Sequence, residues 1–120
     1  MSPYHTYLAA GSTDNENEIR VFNYIKEGSA VRVERIASLK GHFGHIQHIS
    51  WSPHLGGRLI SSSVDCSVQI WDVLTQTPLV NYNSVNIPLF SMWSPTNPDI
   101  VFTGNKIFVL YESIFTIFNI

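Results

Sequence analysis

Three residues whose types could together perform chemistry lie within a short stretch of the chain: His42, Ser63 and Asp65. A serine attacks a carbonyl carbon when a histidine takes its proton and an aspartate orients that histidine. Such a hydrolase would also need an exposed serine, an oxyanion hole and an open pocket, and the sequence signals none of them. We therefore interpret the three residues as structural and expect no catalytic site.

A second group with potential chemistry consists of His42, His45 and His48, which follow one another at intervals of three. Histidine is a common zinc ligand. Residues three apart on a strand point to opposite faces of the sheet, so these imidazoles cannot converge on one metal ion. We expect one histidine in the core and two at the surface, and neither a metal nor another cofactor.

The bulk composition is that of a folded chain without a strongly charged partner. Of 120 residues, 44% are hydrophobic and 13% charged, and the formal net charge is -2. This composition excludes a disordered polypeptide and offers no strong field to nucleic acid or to a membrane. The single cysteine, Cys66, fits a reducing compartment, and the apolar stretch 107–120 is shorter than the roughly 20 residues of a membrane span. We expect a soluble protein of the cytoplasm and nucleus.

Repeated phrases indicate how these residues are positioned. Trp-Ser-Pro occurs at 51–53 and again at 93–95, and the segments 7–14 and 58–65 both run from apolar residues through small ones into a turn. Alternating apolar residues follow each segment: Ile19 and Val21, then Val68 and Ile70. Alternation of this kind is typical of strands, and no helical stripe of useful length is present. The sequence therefore predicts an antiparallel all-β fold.

The chain contains the motifs Gly41-His42, Trp51-Ser52-Pro53 and Trp71-Asp72. In type and spacing these motifs resemble those of the WD40 repeat family. The unit of that family is a four-stranded propeller blade of about 40–45 residues. The resemblance implies a partial WD40 β-propeller of about two and a half four-stranded antiparallel blades. Closed propellers have about 4–8 blades, so the remaining blades are expected partners of this chain.

The same resemblance divides the chain into four parts. Residues 4–40 form an incomplete blade with the outer three strands, and residues 41–83 a complete blade. Residues 84–106 begin a third blade, and residues 107–120 are a divergent apolar tail.

Two groups of site residues follow from the resemblance alone. In the family a histidine, a second-strand serine or threonine, the turn aspartate and the third-strand tryptophan form a buried hydrogen-bond network, here His42, Ser63, Asp65 and Trp71. Satisfied buried polar groups of this kind fix one arrangement of the strands. Propellers of this family bind ligands at their top face. The resemblance assigns to that face the residue before the first strand (His45), the residue two places further on (Gln47) and the residue before the turn aspartate (Val64).

More narrowly, the stretches 7–12, 39–72 and 93–104 resemble propellers that bind small nuclear RNA in the survival-of-motor-neuron (SMN) complex. That resemblance implies a non-enzymatic segment that recognises the Sm site and the cap of small nuclear RNA in spliceosomal snRNP assembly, with SMN-complex proteins as further partners. Val64 departs from this pattern, because an aliphatic side chain cannot stack on a base. The alternatives are a protein-interaction scaffold without RNA binding and a fragment without independent function.

Overall fold

The computed structural model describes residues 7–12, 16–53, 56–83, 91–97, 100–103, 106–111 and 114–119. The regular secondary structure in these ranges consists of β-strands. In chain order they are β1 (Tyr7–Gly11), β2 (Ile19–Glu27), β3 (Ala30–Leu39), β4 (Ile46–Trp51), β5 (Arg58–Ser63), β6 (Ser67–Asp72), β7 (Thr77–Asn83), β8 (Ser91–Trp93), β9 (Ile100–Thr103), β10 (Lys106–Tyr111) and β11 (Ile114–Asn119). Over those ranges no helix is long and apolar enough to cross a membrane.

The strands form three antiparallel sheets in which neighbours in sequence are neighbours in space. The first sheet has the order β1-β2-β3, the second β4-β5-β6-β7 and the third β8-β9-β10-β11. Antiparallel neighbours can be joined by short turns, and this connectivity is what closely spaced strands with intervening turn residues predict. The predicted all-β fold class is confirmed.

Two turns show why particular residues stand between the strands. Gly28 connects β2 to β3 with a φ of +61°, a left-handed backbone that glycine adopts without steric cost. Cys66 connects β5 to β6 with a φ of +69°, which a side chain tolerates less well. Glu27 pairs with Ala30 across the first turn, and the Cys66 N–H donates to the Ser63 carbonyl across the second.

The last part of the chain, which we predicted to be a divergent apolar tail, is paired in strands. β10 pairs with β9 and with β11, and Tyr111 lies opposite Ile114. Residues 106–111 and 114–119 therefore complete the third sheet with its last two strands. The segments Ile107-Phe108-Val109 and Ile114-Phe115-Thr116 lack the Trp-Asp motif. Their β-branched and aromatic residues nevertheless favour strands.

The core consists of two apolar layers, one on each face of the second sheet. One layer lies between the first and second sheets and contains Ile19, Val21, Ala37, Leu39, Leu59, Trp71 and Val73. The other lies between the second and third sheets and contains Ile60, Val68, Ile70, Trp93 and Val101. Neighbouring residues on β5 and β6 alternate between the two layers, as side chains on a strand must. The second sheet is thus covered on both faces.

The inner edges of the first two sheets approach each other closely. A Cβ placed on Gly11, at the end of β1, would lie 2.8 Å from the Cβ of Ile46, at the start of β4. The innermost strands of the second and third sheets are also linked, because the Trp93 indole N–H donates to the Ser50 carbonyl at 3.2 Å. The three sheets therefore stack side by side around a common inner edge.

Candidate functional site

Most of the residues predicted to have special roles lie at one end of the sheets, which we call the loop end. It consists of the link between β3 and β4 (residues 40–45) and the turn between β5 and β6 (residues 64–66). The two segments are bonded to each other: the Val64 N–H donates to the His45 carbonyl at 3.0 Å, and the Ser63 hydroxyl donates to the Gly44 carbonyl at 2.9 Å. The loop end is therefore one connected structure.

A buried hydrogen-bond network runs from this loop into the second sheet. The Trp71 indole N–H donates to Ser61 Oγ at 2.8 Å, and Ser61 Oγ lies 2.7 Å from His42 Nε2. On the other side of the imidazole, His42 Nδ1 lies 2.8 Å from Ser67 Oγ and 3.2 Å from Asp65 Oδ2. We call these five residues the buried network.

Donor and acceptor capacities assign the protons of the buried network. Ser61 Oγ accepts the indole N–H, so its own proton is free to be donated to His42 Nε2. Ser67 Oγ donates to Asp65 Oδ1 at 2.5 Å, so it accepts from His42 Nδ1–H. Each group then has a partner when His42 is neutral with its proton on Nδ1. A proton added at Nε2 would leave the Ser61 hydroxyl hydrogen without that acceptor.

The predicted network is corrected at one position. His42, Asp65 and Trp71 are brought together, but the serine between the histidine and the tryptophan is Ser61, not Ser63. Both serines lie on the same face of β5, and Ser61 is the one nearer to Trp71 because Leu59 is directly opposite the tryptophan. The Ser63 hydroxyl instead donates to the Gly44 carbonyl and accepts the Asp65 backbone N–H.

Asp65 fastens the loop that follows His42. Its carboxylate accepts the Phe43 backbone N–H at 2.7 Å and the Ser67 backbone N–H at 2.8 Å. Burial raises the pKa of Asp65. Hydrogen bonds from the Ser67 hydroxyl and from the backbone N–H groups of Phe43 and Ser67 oppose this, as does the adjacent His42. Together they outweigh burial and lower the pKa below its usual range. The ionised carboxylate is thus the form that holds the loop.

This geometry does not suit nucleophilic catalysis. Ser61 and Ser63 are both completely buried, so a substrate cannot reach either hydroxyl in this arrangement. The residue types of a hydrolase are present, but their hydrogen bonds run between strands and loops. The arrangement fixes the position of the loop end relative to the second sheet.

Lowering the pH through 6.5 is expected to destabilise the protein through His42. Burial lowers the pKa of His42 below its usual 6.5, and the attraction of Asp65 opposes this only in part. The unfolded chain therefore takes up the proton first, so this stability is complete above pH 6.5 and is lost as the pH falls below it, by at most about 1.4 kcal/mol per unit. Urea unfolding at pH 7.5 and 5.5 measures the change.

The control for this prediction is His42→Gln, which should flatten the dependence of the urea midpoint on pH over the same interval. An NMR titration of the imidazole signals gives an independent result on the unmutated protein. A His42 pKa above that of a free histidine would contradict the assignment of a neutral, buried ring.

The three predicted top-face residues lie at or beside the loop end with unequal exposure. His45 and Gln47 are exposed, and Val64 is half-buried. Gln47 lies where the register between β4 and β5 shifts between Ile46 and His48, and a bulge of this kind redirects a side chain. His45 and Gln47 are thus available to a ligand, whereas Val64 packs partly against the loop.

A second buried charge lies at the same end of the first sheet. Glu18 is completely buried, and its Oε1 accepts hydrogen bonds of 2.7 Å from Arg20 Nε and from Arg35 Nη2. Lys40 Nζ is 3.9 Å from Oε2. The bond from Arg20 lowers the pKa of Glu18, burial opposes this, and the bond from Arg35 adds to the lowering. Three cations therefore surround one carboxylate next to the loop that carries His42.

Metal ligands do not gather at the loop end. His42 is buried, His45 is exposed and His48 is half-buried, where its Nδ1 accepts the Ser91 N–H at 3.4 Å. In the part of the chain covered by the structure, no three histidine, cysteine or acidic side chains are placed to hold a metal ion.

Sequence reasoning missed three contributors to this site. Gln69 donates to the Gly41 carbonyl at 2.9 Å, Ser67 completes the buried network, and Phe43 projects into solvent. Strand alternation places Ser67 and Gln69 on the same face of β6 as Trp71, which was a usable signal. The exposure of Phe43 had no such signal, because it depends on how the loop is fastened.

Side-by-side antiparallel sheets of this kind, with inner edges in contact and a buried polar network in the complete middle sheet, define a partial β-propeller. Residues 33–72 match the family model "WD domain, G-beta repeat". The chain therefore carries a WD40 repeat, and the predicted resemblance to that family is confirmed.

Individual proteins resemble a larger part of the chain. Gem-associated protein 5 of Mus musculus is 37% identical over 110 residues, 88% of this chain, and that of Homo sapiens 33% identical over 116 residues, 92% of this chain. WD repeat-containing protein AAC3 of Dictyostelium discoideum is 39% identical over 58% of the chain and 14% of its own length. The chain spans only 7% and 8% of the two Gem-associated proteins.

A solved structure supports the fold. The β-propeller domain of Cps50 (Swd1) from Myceliophteria thermophila superimposes on the whole chain with a TM-score of 0.78, at 17% identity and over 37% of its own length. At this identity the likeness shows the architecture alone.

Proposed function

We propose that this chain is a non-enzymatic segment of an RNA-binding WD40 propeller that acts in the SMN complex during spliceosomal snRNP assembly. The observation that carries the proposal is the 33–37% identity to Gem-associated protein 5 over about nine-tenths of the chain. The blades that the sequence resembles imply recognition of small nuclear RNA at its Sm site and cap. Cytoplasm and nucleus are the compartments in which this role places the protein, with other SMN-complex proteins as partners.

The surface chemistry of the loop end supports the RNA-binding part of the proposal. His45 and Gln47 offer exposed polar groups there, and Arg35 and Lys40 offer side chains that are about half and two-thirds exposed. Propeller loops of this kind suit single-stranded RNA, whose bases stack on rings and whose phosphates meet cations. The overall charge of -2 does not prevent this, because recognition depends on the local field.

An electrophoretic shift with a uridine-rich single-stranded small nuclear RNA tests the proposal. We expect the purified protein to retard the RNA in 50 mM salt and to lose affinity steeply as salt rises, because phosphate contacts release counterions. His45→Ala with Gln47→Ala should weaken binding, whereas Leu74→Ala at the opposite end of the second sheet should not. Absence of a shift at low salt would refute RNA binding by this chain.

The second candidate function is a protein-interaction scaffold without RNA binding. The half-buried Val64 favours it, because a valine at this place cannot stack on a base. Capture of the same proteins before and after nuclease treatment, together with no RNA shift, would support the scaffold.

A further inference from the structure

Among the residues whose side-chain exposure the structure describes, Phe43 is the most exposed large hydrophobic one, with 91% of its surface open to solvent. Its backbone is nevertheless held in place, because its N–H donates to Oδ2 of the largely buried Asp65 carboxylate at 2.7 Å. His42, the preceding residue, is anchored in the buried network. The phenyl ring is therefore presented from a fixed position and does not sit on a loosely attached loop.

Two glycines explain why residue 43 is the one that points outward. A Cβ on Gly44 would lie 2.6 Å from Val64 Cγ2 and 3.0 Å from the Asp65 nitrogen, and a Cβ on Gly41 would lie 3.0 Å from Trp71 Cη2. Both residues must lack a side chain for the loop to lie flat against the second sheet. The loop thus packs through its glycines and His42, and it leaves Phe43 in solvent.

The cations around Glu18 lie at the same end of the first sheet as the loop that carries Phe43. Ile19 pairs with Leu39, so the start of β2 and the end of β3 lie at the same end of the sheet as the loop. Lys40 is three residues before Phe43, its side chain is 71% exposed, and its Nζ is only loosely paired at 3.9 Å from Glu18. The opposing Asp65 carboxylate is nearly buried and is occupied by Ser67 and Phe43 N–H groups.

The surroundings of the ring favour a nucleic-acid base over an apolar protein surface. An anchor for a protein partner is usually surrounded by further apolar contacts. The loop that carries Phe43 instead contains two glycines and the exposed His45, and no second large hydrophobic side chain is exposed within residues 40–45 and 64–66. A lone exposed aromatic ring on the same loop as an exposed lysine fits one stacked base and one phosphate.

We propose that Phe43 stacks on an unpaired base of single-stranded RNA while Lys40 contacts an adjacent phosphate. This rests on the proposed function and names the stacking residue of the same surface. Phe43 directly precedes Gly44, which lies against Val64 Cγ2. The ring therefore supplies the aromatic face that Val64 lacks, and the base would be held from the loop between β3 and β4.

Fluorescence anisotropy with a labelled ten-nucleotide oligouridylate in 50 mM salt tests the stacking contact. We expect Phe43→Ala to weaken binding about 5- to 150-fold, the loss that follows from removing one stacked ring. Phe43→Trp should keep the affinity, and its added exposed indole should be quenched by the RNA. Phe43→Leu, which keeps an apolar group without a ring, should behave like Phe43→Ala.

Matched controls isolate the contact. Leu74→Ala removes an exposed apolar side chain at the far end of the second sheet and should leave RNA affinity unchanged. Lys40→Gln should reduce the slope of log affinity against log salt by about one phosphate contact. Circular dichroism should show the same thermal midpoint for Phe43→Ala as for the unmutated protein, because the ring packs little in the fold.

The outcomes separate this inference from the function on which it rests. If the unmutated protein binds oligouridylate and Phe43→Ala or Phe43→Leu binds equally well, stacking by Phe43 is refuted while RNA binding stands. If the unmutated protein binds no RNA, both are refuted. Unchanged RNA affinity combined with loss of a nuclease-resistant protein partner in Phe43→Ala would assign the ring to a protein interface and overturn the inference.

Discussion

Trp71→Ala is expected to lower the free energy of unfolding by about 3–5 kcal/mol. Trp71 is completely buried in the layer between the first and second sheets, where it packs with Leu59 and Val73. The change opens a cavity in that layer and also leaves Ser61 without its indole donor. Because small proteins are stable by only about 5–15 kcal/mol, the loss should be visible as a large fall in the urea midpoint.

Trp71→Phe separates the two contributions. It keeps much of the apolar volume and removes the N–H that donates to Ser61 together with part of the ring system, so it should cost clearly less than Trp71→Ala. Met92→Ala, at an exposed position on β8, is the control for a large hydrophobic residue outside the core and should stay within about 0.5 kcal/mol of the unmutated protein. A Trp71→Ala protein with an unchanged midpoint would contradict the packing described here.

The second sheet was predictable because several local signals agree there. The family resemblance predicted one complete blade over residues 41–83, where alternation at Val68 and Ile70 and a turn at Asp65 also favour strands, and the structure has Ile46–Trp51, Arg58–Ser63, Ser67–Asp72 and Thr77–Asn83 there. Each strand is bounded by turn residues and has a pattern suited to its place in the sheet. Where propensity, pattern and turn chemistry coincide, the sequence indicates where the strands of a sheet lie.

The end of the third sheet was not predictable in the same way. Residues 106–111 and 114–119 are almost uniformly apolar or aromatic, so they show no alternation from which a face can be assigned. Their strands are defined by pairing with β9 and with each other. Information of that kind lies in tertiary contacts rather than in the local pattern.

The buried network shows the limit at the level of single atoms. Alternation places Ser61 and Ser63 on one face of β5, and the family pattern alone assigned the wrong one to the contact with Trp71. The choice depends on register, because Gln69 pairs with Ser61 and brings that serine beside the indole. Sequence spacing shows on which face of a strand a side chain lies. It does not show which side chain of the neighbouring strand it contacts.

Ser61→Ala is expected to destabilise the protein by about 2–3 kcal/mol, because one hydroxyl partners two buried groups. Its loss leaves the Trp71 indole N–H and His42 Nε2 without hydrogen bonds in a site closed to water. Ser63→Ala is the matched control on the same strand: it removes bonds to Gly44 and the Asp65 backbone near the turn, and it should cost about 1 kcal/mol. Thermal and urea unfolding of both variants gives the comparison.

A double-mutant cycle tests whether the Ser61 effect acts through Trp71. Ser61→Ala and Trp71→Phe each remove the same hydrogen bond, so the double variant should lose at least about 0.5 kcal/mol less than the two single losses predict together. Additive losses would mean that the two groups are not coupled. If Ser63→Ala destabilises the protein as much as Ser61→Ala does, Ser63 would be the central residue of the network. His42 and Trp71 would then be connected through the turn instead of across the sheet.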